Sequence, residues 1–415
     1  MSLYLERYAF KPQLIKIEPT QNLGLIVTLP AFKETDLISS LESLKNCHLP
    51  EASVEVIVVI NQAENAGSKV TEINQHCYEQ AEKWSERNST DQLKYYIIFC
   101  RDLPVKHAGV GLARKIAMDE AVRRFELVNN PRGVIACFDG DSICNPNYLE
   151  KLYTHFQDNP KTPACSIYFE HPLEGALDSG IYAAIAEYEL FLRYYLQGLH
   201  YAGFPWAFHT IGSSMAVRSD AYQKQGGMNR RKAGEDFYFL QRMFRLGGFT
   251  ELNSTKITPS PRISDRVPFG TGKAVADWQL KPGITTYHPQ VFADMKLFME
   301  SVPEFLCSKP NSAISKLPES IRLFLTESNF EHELERIKRS STSAEVFRKS
   351  FFHWFDGFRA LKYVHFSRDR FYSNLPVEKA AFLLLEMRGF KVKAESTKQL
   401  LAYYRKLDRS RLTRD

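Results

Sequence analysis

Between Leu23 and Phe169 the chain repeats one pattern, an apolar run of strand length followed by a stretch with helical spacing. The runs are 24–29 (GLIVTL), 54–60 (VEVIVVI), 95–99 (YYIIF), 134–138 (VIACF) and 164–169 (ACSIYF). Runs this continuously apolar leave no face for water, so the strands must be covered on both sides. Leu37, Leu41 and Leu44 at i, i+4, i+7, behind Thr35 and Asp36, supply one covering helix. Leu112, Ile116, Ala117, Ala121 and Phe125 supply another. The alternation predicts an α/β fold with a mostly parallel central sheet flanked by helices, a class that binds ligands beyond the carboxyl ends of its strands.

Past Phe169 the rhythm changes. Residues 179–200 read as one long aromatic helix, a mixed segment runs to Thr258, and 259–283 is rich in Gly, Pro and Arg. After about residue 301 nearly everything is helical in spacing. Phe347, Phe351, Trp354, Phe355 and Phe358 form one stripe, and Pro376 opens a helix carrying Ala380, Ala381, Leu384 and Leu385. The 415 residues exceed the roughly 250–300 at which a single core stops growing. The expected organisation is an N-terminal segment 1–22, an α/β domain 23–300 whose halves meet near 142, and a helical region 301–415 with a basic tail 388–415.

Charge narrows the partners. The net charge is +6, and residues 388–415, with nine basic and three acidic side chains, account for all of it. A neutral body with one basic helix argues against nucleic acid. Leu400, Leu401, Tyr404 and Leu407 give that helix an apolar face, which either lies on anionic lipid or packs on the helical region. Seven scattered cysteines without a C-x-x-C pair read as reduced thiols. Charge interrupts the first residues before a signal peptide can form, and no apolar window reaches membrane-spanning length. The expected location is cytoplasmic, with the basic helix as a candidate peripheral contact to the inner membrane face.

Three clusters carry chemistry. In Asp139-Gly140-Asp141 an apolar run ends in two carboxylates at i and i+2, which in a strand share a side and suit Mg²⁺ or Mn²⁺ with water and phosphate. Gly234-Glu235-Asp236 reads as a helix start with an acidic pair, favourable for the helix dipole and also a source of a general base. The loop 260–273 gathers Arg262, Arg266 and Lys273 with Gly270 and Gly272, the makings of a phosphate clamp or of an exposed loop. It lacks the first glycine of a Walker loop, and Gly109-Val110-Gly111 ends in Arg114 where a dinucleotide fingerprint needs glycine.

In this order the motifs resemble family 2 of the glycosyltransferases, from about Leu23 to about Gly248, together with Leu29-Pro30-Ala31-Phe32-Lys33-Glu34, Gly111-Leu112-Ala113-Arg114-Lys115 and Gly212-Ser213-Ser214. The resemblance implies the GT-A fold, with a nucleotide-binding half 23–142 and an acceptor half 143–300. It implies a nucleotide-sugar donor, UDP- or GDP-linked, bound by Pro30, Glu34, Asn61, Arg114 and Asp139, with Arg262, Arg266 and Lys273 as candidate phosphate contacts. Asp139 and Asp141 would hold Mn²⁺ or Mg²⁺, with His288 as candidate third ligand. Asp236 would be the general base of an inverting transfer, with Glu235, Gly212 and His209 on the acceptor side. The acceptor is a glycan, a lipid-linked molecule or a small metabolite. Other readings are a retaining transferase using the Arg-rich loop and His288, an aspartate-dependent phosphatase, and a non-catalytic nucleotide-sugar-binding module.

Overall fold

All five apolar runs are strands of one eight-stranded sheet in the computed structural model, which describes residues 2–266, 269–307 and 310–410. The strands are β1 (Leu23–Ala31), β2 (Ser53–Ala63), β3 (Leu93–Leu103), β4 (Val134–Cys137), β5 (Ile143–Cys144), β6 (Ala164–Phe169), β7 (Met215–Arg218) and β8 (Thr250–Thr258). Their order is β3-β2-β1-β4-β7-β6-β8-β5. The first four run parallel, β7 is antiparallel to β4 and β6, and β8 is parallel to β6. The α/β class and the mostly parallel sheet are therefore those expected. β1 is buried along its whole length, as two-sided coverage requires.

The helices of the first part are α1 (Leu3–Arg7), α2 (Leu37–Lys45), α3 (Ser68–Asn88), α4 (Val110–Leu127) and α5 (Tyr148–Asp158). Next come α6 (Ser179–Tyr201), α7 (Ser219–Lys224) and α8 (Glu235–Phe244). The chain divides into two compact units, one of residues 2–172 and 209–273, the other of 173–208 and 274–410. This differs from the boundary expected at 300. The reason is in the packing of the second unit: Leu190, Tyr194 and Leu199 of α6 share one core with Phe292, Phe298, Phe351 and Leu384.

In the first unit α4 is buried on nearly every side, not on one face. Its charged residues therefore need partners. Lys115 pairs with Asp119 at 2.8 Å, and Asp119 accepts hydroxyl bonds from Tyr4 (2.6 Å) and Tyr222 (2.8 Å). Arg124 pairs with Glu55. The N-terminal segment supplies the remainder: the Phe10 amide donates to Asp119 (2.7 Å), the Ile15 amide to Glu120 (3.0 Å), and Arg124 donates to the Ile17 carbonyl (2.8 Å). Residues 2–17 are thus a strap on α4 and part of the first unit.

In the second unit the aromatic stripe is split. One helix ends at Trp354, Asp356 caps the next through the amides of Phe358 and Arg359, and Phe358 is only half-buried. Pro376 does precede a helix, Val377–Met387. Of the two roles open to the basic tail, packing is observed: Leu400, Leu401 and Tyr404 are buried, and Arg405 reaches Glu189 at 2.8 Å. The last five residues of that tail, 411–415, lie outside the described residues. Among the described residues no helix is long and apolar enough to cross a membrane. All seven cysteines are thiols.

Candidate active site

Parallel pairing of β1 with β4, Thr28 opposite Cys137, brings the segments that follow both strands to one edge of the sheet. After β1, Lys33 takes a left-handed conformation (φ 51°), its amide donates to Asn74 Oδ1 (2.9 Å), and Glu34 is buried behind it. After β4, Gly140 lies against this turn; a Cβ there would be 3.4 Å from Glu34 Cγ and 3.6 Å from the Pro30 carbonyl. β4 stops at Cys137, and the Ser142 amide closes a turn on the Asp139 carbonyl (3.0 Å). The strand alternation invoked for Asp139 and Asp141 therefore does not reach them, and their carboxylates meet different cations.

Asp139 meets Arg114. The Arg114 guanidinium, 2% exposed, donates to Asp139 Oδ1 at 2.6 Å and to Glu235. Gly212 makes room for it, and Gly111 makes room for its partner Glu235. A Cβ on Gly212 would lie 2.6 Å from Arg114 Nη1, and one on Gly111 would collide with the Arg231 carbonyl and lie 3.1 Å from Glu235 Cβ. A third, Gly234, turns the chain into α8 with φ 70°, which places Glu235 and Asp236 on the first turn. Burial pushes the Glu235 carboxyl up to about 7, outweighing the attraction of Arg114. Burial also raises Asp236. Asp236 accepts from the adjacent Phe237 amide (2.7 Å), whereas Glu235 is committed to Arg114.

Asp141 meets the loop. Arg262 donates to Glu34 Oε1 (2.7 Å) and to Asp141 Oδ2 (2.9 Å). Arg266 reaches Glu34 (3.1 Å), the Phe32 carbonyl (3.1 Å) and Asp141 (3.4 Å), and its Nε donates to Ser264 (2.9 Å). Lys33 pairs with Asp265 at 3.2 Å. Phe269 leans over Gly234, where a Cβ would be 3.2 Å from its ring. Residues 267 and 268 lie outside the described residues. The loop thus crosses the carboxylates of β1 and β4. Among the described residues, however, the Nε atoms of Arg262 and Arg114 and the Ser142 hydroxyl are buried without a partner. Unmatched buried donors beside carboxylates suit an anionic ligand with oxygens to spare.

The other expected residues are placed as follows. Asn61 is buried at the end of β2, and its carbonyl accepts from Asn74 (3.3 Å). His209 packs edge-on against Phe169 at 5.0 Å. Lys273 is on the first turn of the helix Thr271–Leu280. His288 belongs to the second unit, where its ring stacks on Tyr372 at 5.8 Å and its Nδ1 accepts from the Gln290 amide (3.1 Å). Among the described residues no three or more His, Cys, Asp or Glu side chains converge to hold a metal ion. Sequence reasoning missed Ser264, the Lys33–Asp265 pair and the central position of Arg114. Glycines at 111 and 212 were the available signal for the last.

Comparisons with known proteins found matches to solved structures and to one family model. S. aureus TarS residues 1–349, in complex with UDP-GlcNAc, is 12% identical with a TM-score of 0.41, over 77% of this chain and 91% of that one. The same fragment with UDP gives the same figures, and a further S. aureus TarS structure gives 0.39 over 76% and 55% at 12% identity. No curated protein matches the chain. The family described as glycosyl transferase family group 2 matches residues 134–303, a span that includes Asp139, Asp141, Glu235, Asp236, Arg262 and Arg266.

Proposed function

We propose that the protein transfers a sugar from a nucleotide-sugar donor to an acceptor hydroxyl with inversion, at the edge formed by Glu34, Asp139, Asp141, Glu235 and Asp236. The observation that carries this reading is the set of unpartnered buried donors among the described residues, Arg114 Nε and Arg262 Nε, set among those carboxylates. A diphosphate supplies acceptors for both. Arg262 and Arg266 orient its oxygens, and Arg114 holds Asp139 and Glu235 in place. Asp236 takes the proton from the acceptor hydroxyl as that oxygen attacks the anomeric carbon and the bond to the nucleoside diphosphate breaks. Its raised affinity for protons brings it closer to the working pH of such a base.

A divalent cation belongs to the same proposal. Asp139 and Asp141 each have one oxygen engaged by a guanidinium, which fits Mg²⁺ or Mn²⁺ held by the two carboxylates and completed by water and phosphate. When bound, it would neutralise charge growing on the leaving diphosphate. His209 and Gly212 fall on the acceptor side, and the acceptor is a glycan, a lipid-linked molecule or a small metabolite. The test is a panel of UDP- and GDP-sugars with Mn²⁺ followed by thermal shift, then NMR of the product anomer. A donor-specific shift and an inverted product support the proposal; no shift with any donor, or a retained configuration, counts against it.

A further inference from the structure

Two of the seven thiols lie together, one just past the C-terminal end of α2 and the other in β5. Cys47 follows α2, the helix that begins three residues after Glu34, and Cys144 is in β5, three residues after Asp141. Their sulfurs are 3.5 Å apart. Cys47 Sγ also faces the Ser43 carbonyl (3.4 Å) and the Asn145 carbonyl (3.6 Å), and Cys144 Sγ lies 3.7 Å from the Ser43 hydroxyl. Cys47 is buried and Cys144 half-buried, so a small oxidant has access from the Cys144 side. The two thiols are also unequal. The bond from Cys144 holds Cys47 below its ordinary value, assisted by the amides of Leu149 and Tyr148 and opposed by burial, while Cys144 is held above its own.

We propose that Cys47 and Cys144 are a modification site, a pair that closes to an intramolecular disulfide under peroxide and reopens with a thiol reductant. The Cys47 thiolate attacks one peroxide oxygen; the O–O bond breaks, leaving a sulfenic acid on Cys47 and a hydroxide that takes up the thiol proton as water. The Cys144 sulfur then attacks the Cys47 sulfur; the S–S bond forms, the S–O bond breaks, and the departing hydroxide leaves as water with the Cys144 proton. Two thiols and one hydrogen peroxide give one disulfide and two waters. Closing the sulfurs to a bond of roughly 2 Å ties the segment after Asp141 to the helix after Glu34. The link rests on these positions alone and not on the transfer reaction.

The full chain, in a Cys307→Ser background that removes an exposed competitor, is treated with hydrogen peroxide, alkylated and mapped without reduction. A cross-linked peptide joining Cys47 and Cys144, lost on reduction and absent from Cys47→Ser and Cys144→Ser, supports the site. Amides of 138–146 then exchange about tenfold more slowly in the oxidised protein. Oxidation without that peptide overturns the proposal, and a cross-link with unchanged exchange overturns its effect on the Asp141 segment.

Discussion

Arg114 in the first unit and Arg193 in the second are both buried, and each faces two carboxylates. Arg193 donates through Nε to Glu189 (2.8 Å) and through Nη1 to Asp408 (2.5 Å), while Arg405 also reaches Glu189. Arg114 holds Asp139 and Glu235, but among the described residues its Nε is buried without a partner. Arg193 lies in a network tying α6 to the C-terminal helix; Arg114 lies in one with a donor to spare. A buried guanidinium is thus evidence of architecture when its donors are matched, and of a ligand site when they are not.

Substituting the two arginines has the largest expected effect. Arg193→Met leaves Glu189 and Asp408 with less compensation and is expected to destabilise the fold by about 3–5 kcal/mol, read by urea unfolding. Arg114→Met is expected to cost clearly less, because the Glu235 carboxyl is already up at about 7 and can take a proton, yet to abolish transfer. Equal stability losses would erase the distinction.

The glycines give a smaller contrast. A Cβ on Gly198 would lie 2.5 Å from the Phe292 ring, so Gly198→Ala is expected to cost about 1–3 kcal/mol of stability. Gly212→Ala meets the end of the Arg114 side chain, which can move; lowered turnover with a nearly unchanged unfolding midpoint is expected. Arg262→Ala is expected to weaken nucleotide binding about tenfold by calorimetry, with little change in stability.

A separate effect is in pH. Glu235 holds its proton more tightly folded (about 7) than at its ordinary 4.5, so its contribution to stability is complete below about 4.5 and lost as pH rises through 7. Glu235→Gln should flatten that part of the stability profile in urea titrations. A wild-type profile without that fall would contradict the raised value.

The parallel strands were legible because their runs are continuous and apolar. β8, with the sequence TELNSTKIT, was not, since Leu252 and Ile257 are its two apolar residues and stand five apart among polar ones in a partly exposed strand. Asp139, Asp141, Glu235 and Asp236 were legible as local motifs. The pairing of Arg262 and Arg266 with Glu34 was not, because no local spacing tells which carboxylate a distant loop will cross. The stripe through Phe358 failed for a related reason: periodicity continued across a break that Asp356 makes by capping the next helix.

Transfer at the carboxylate edge, with Asp236 as base, is tested most directly by the turnover of Asp236→Asn measured alongside its donor affinity in the same preparation. Turnover is expected to fall by about 10²–10⁴-fold with affinity unchanged. Wild-type turnover in that variant would contradict the assignment of Asp236 as the base.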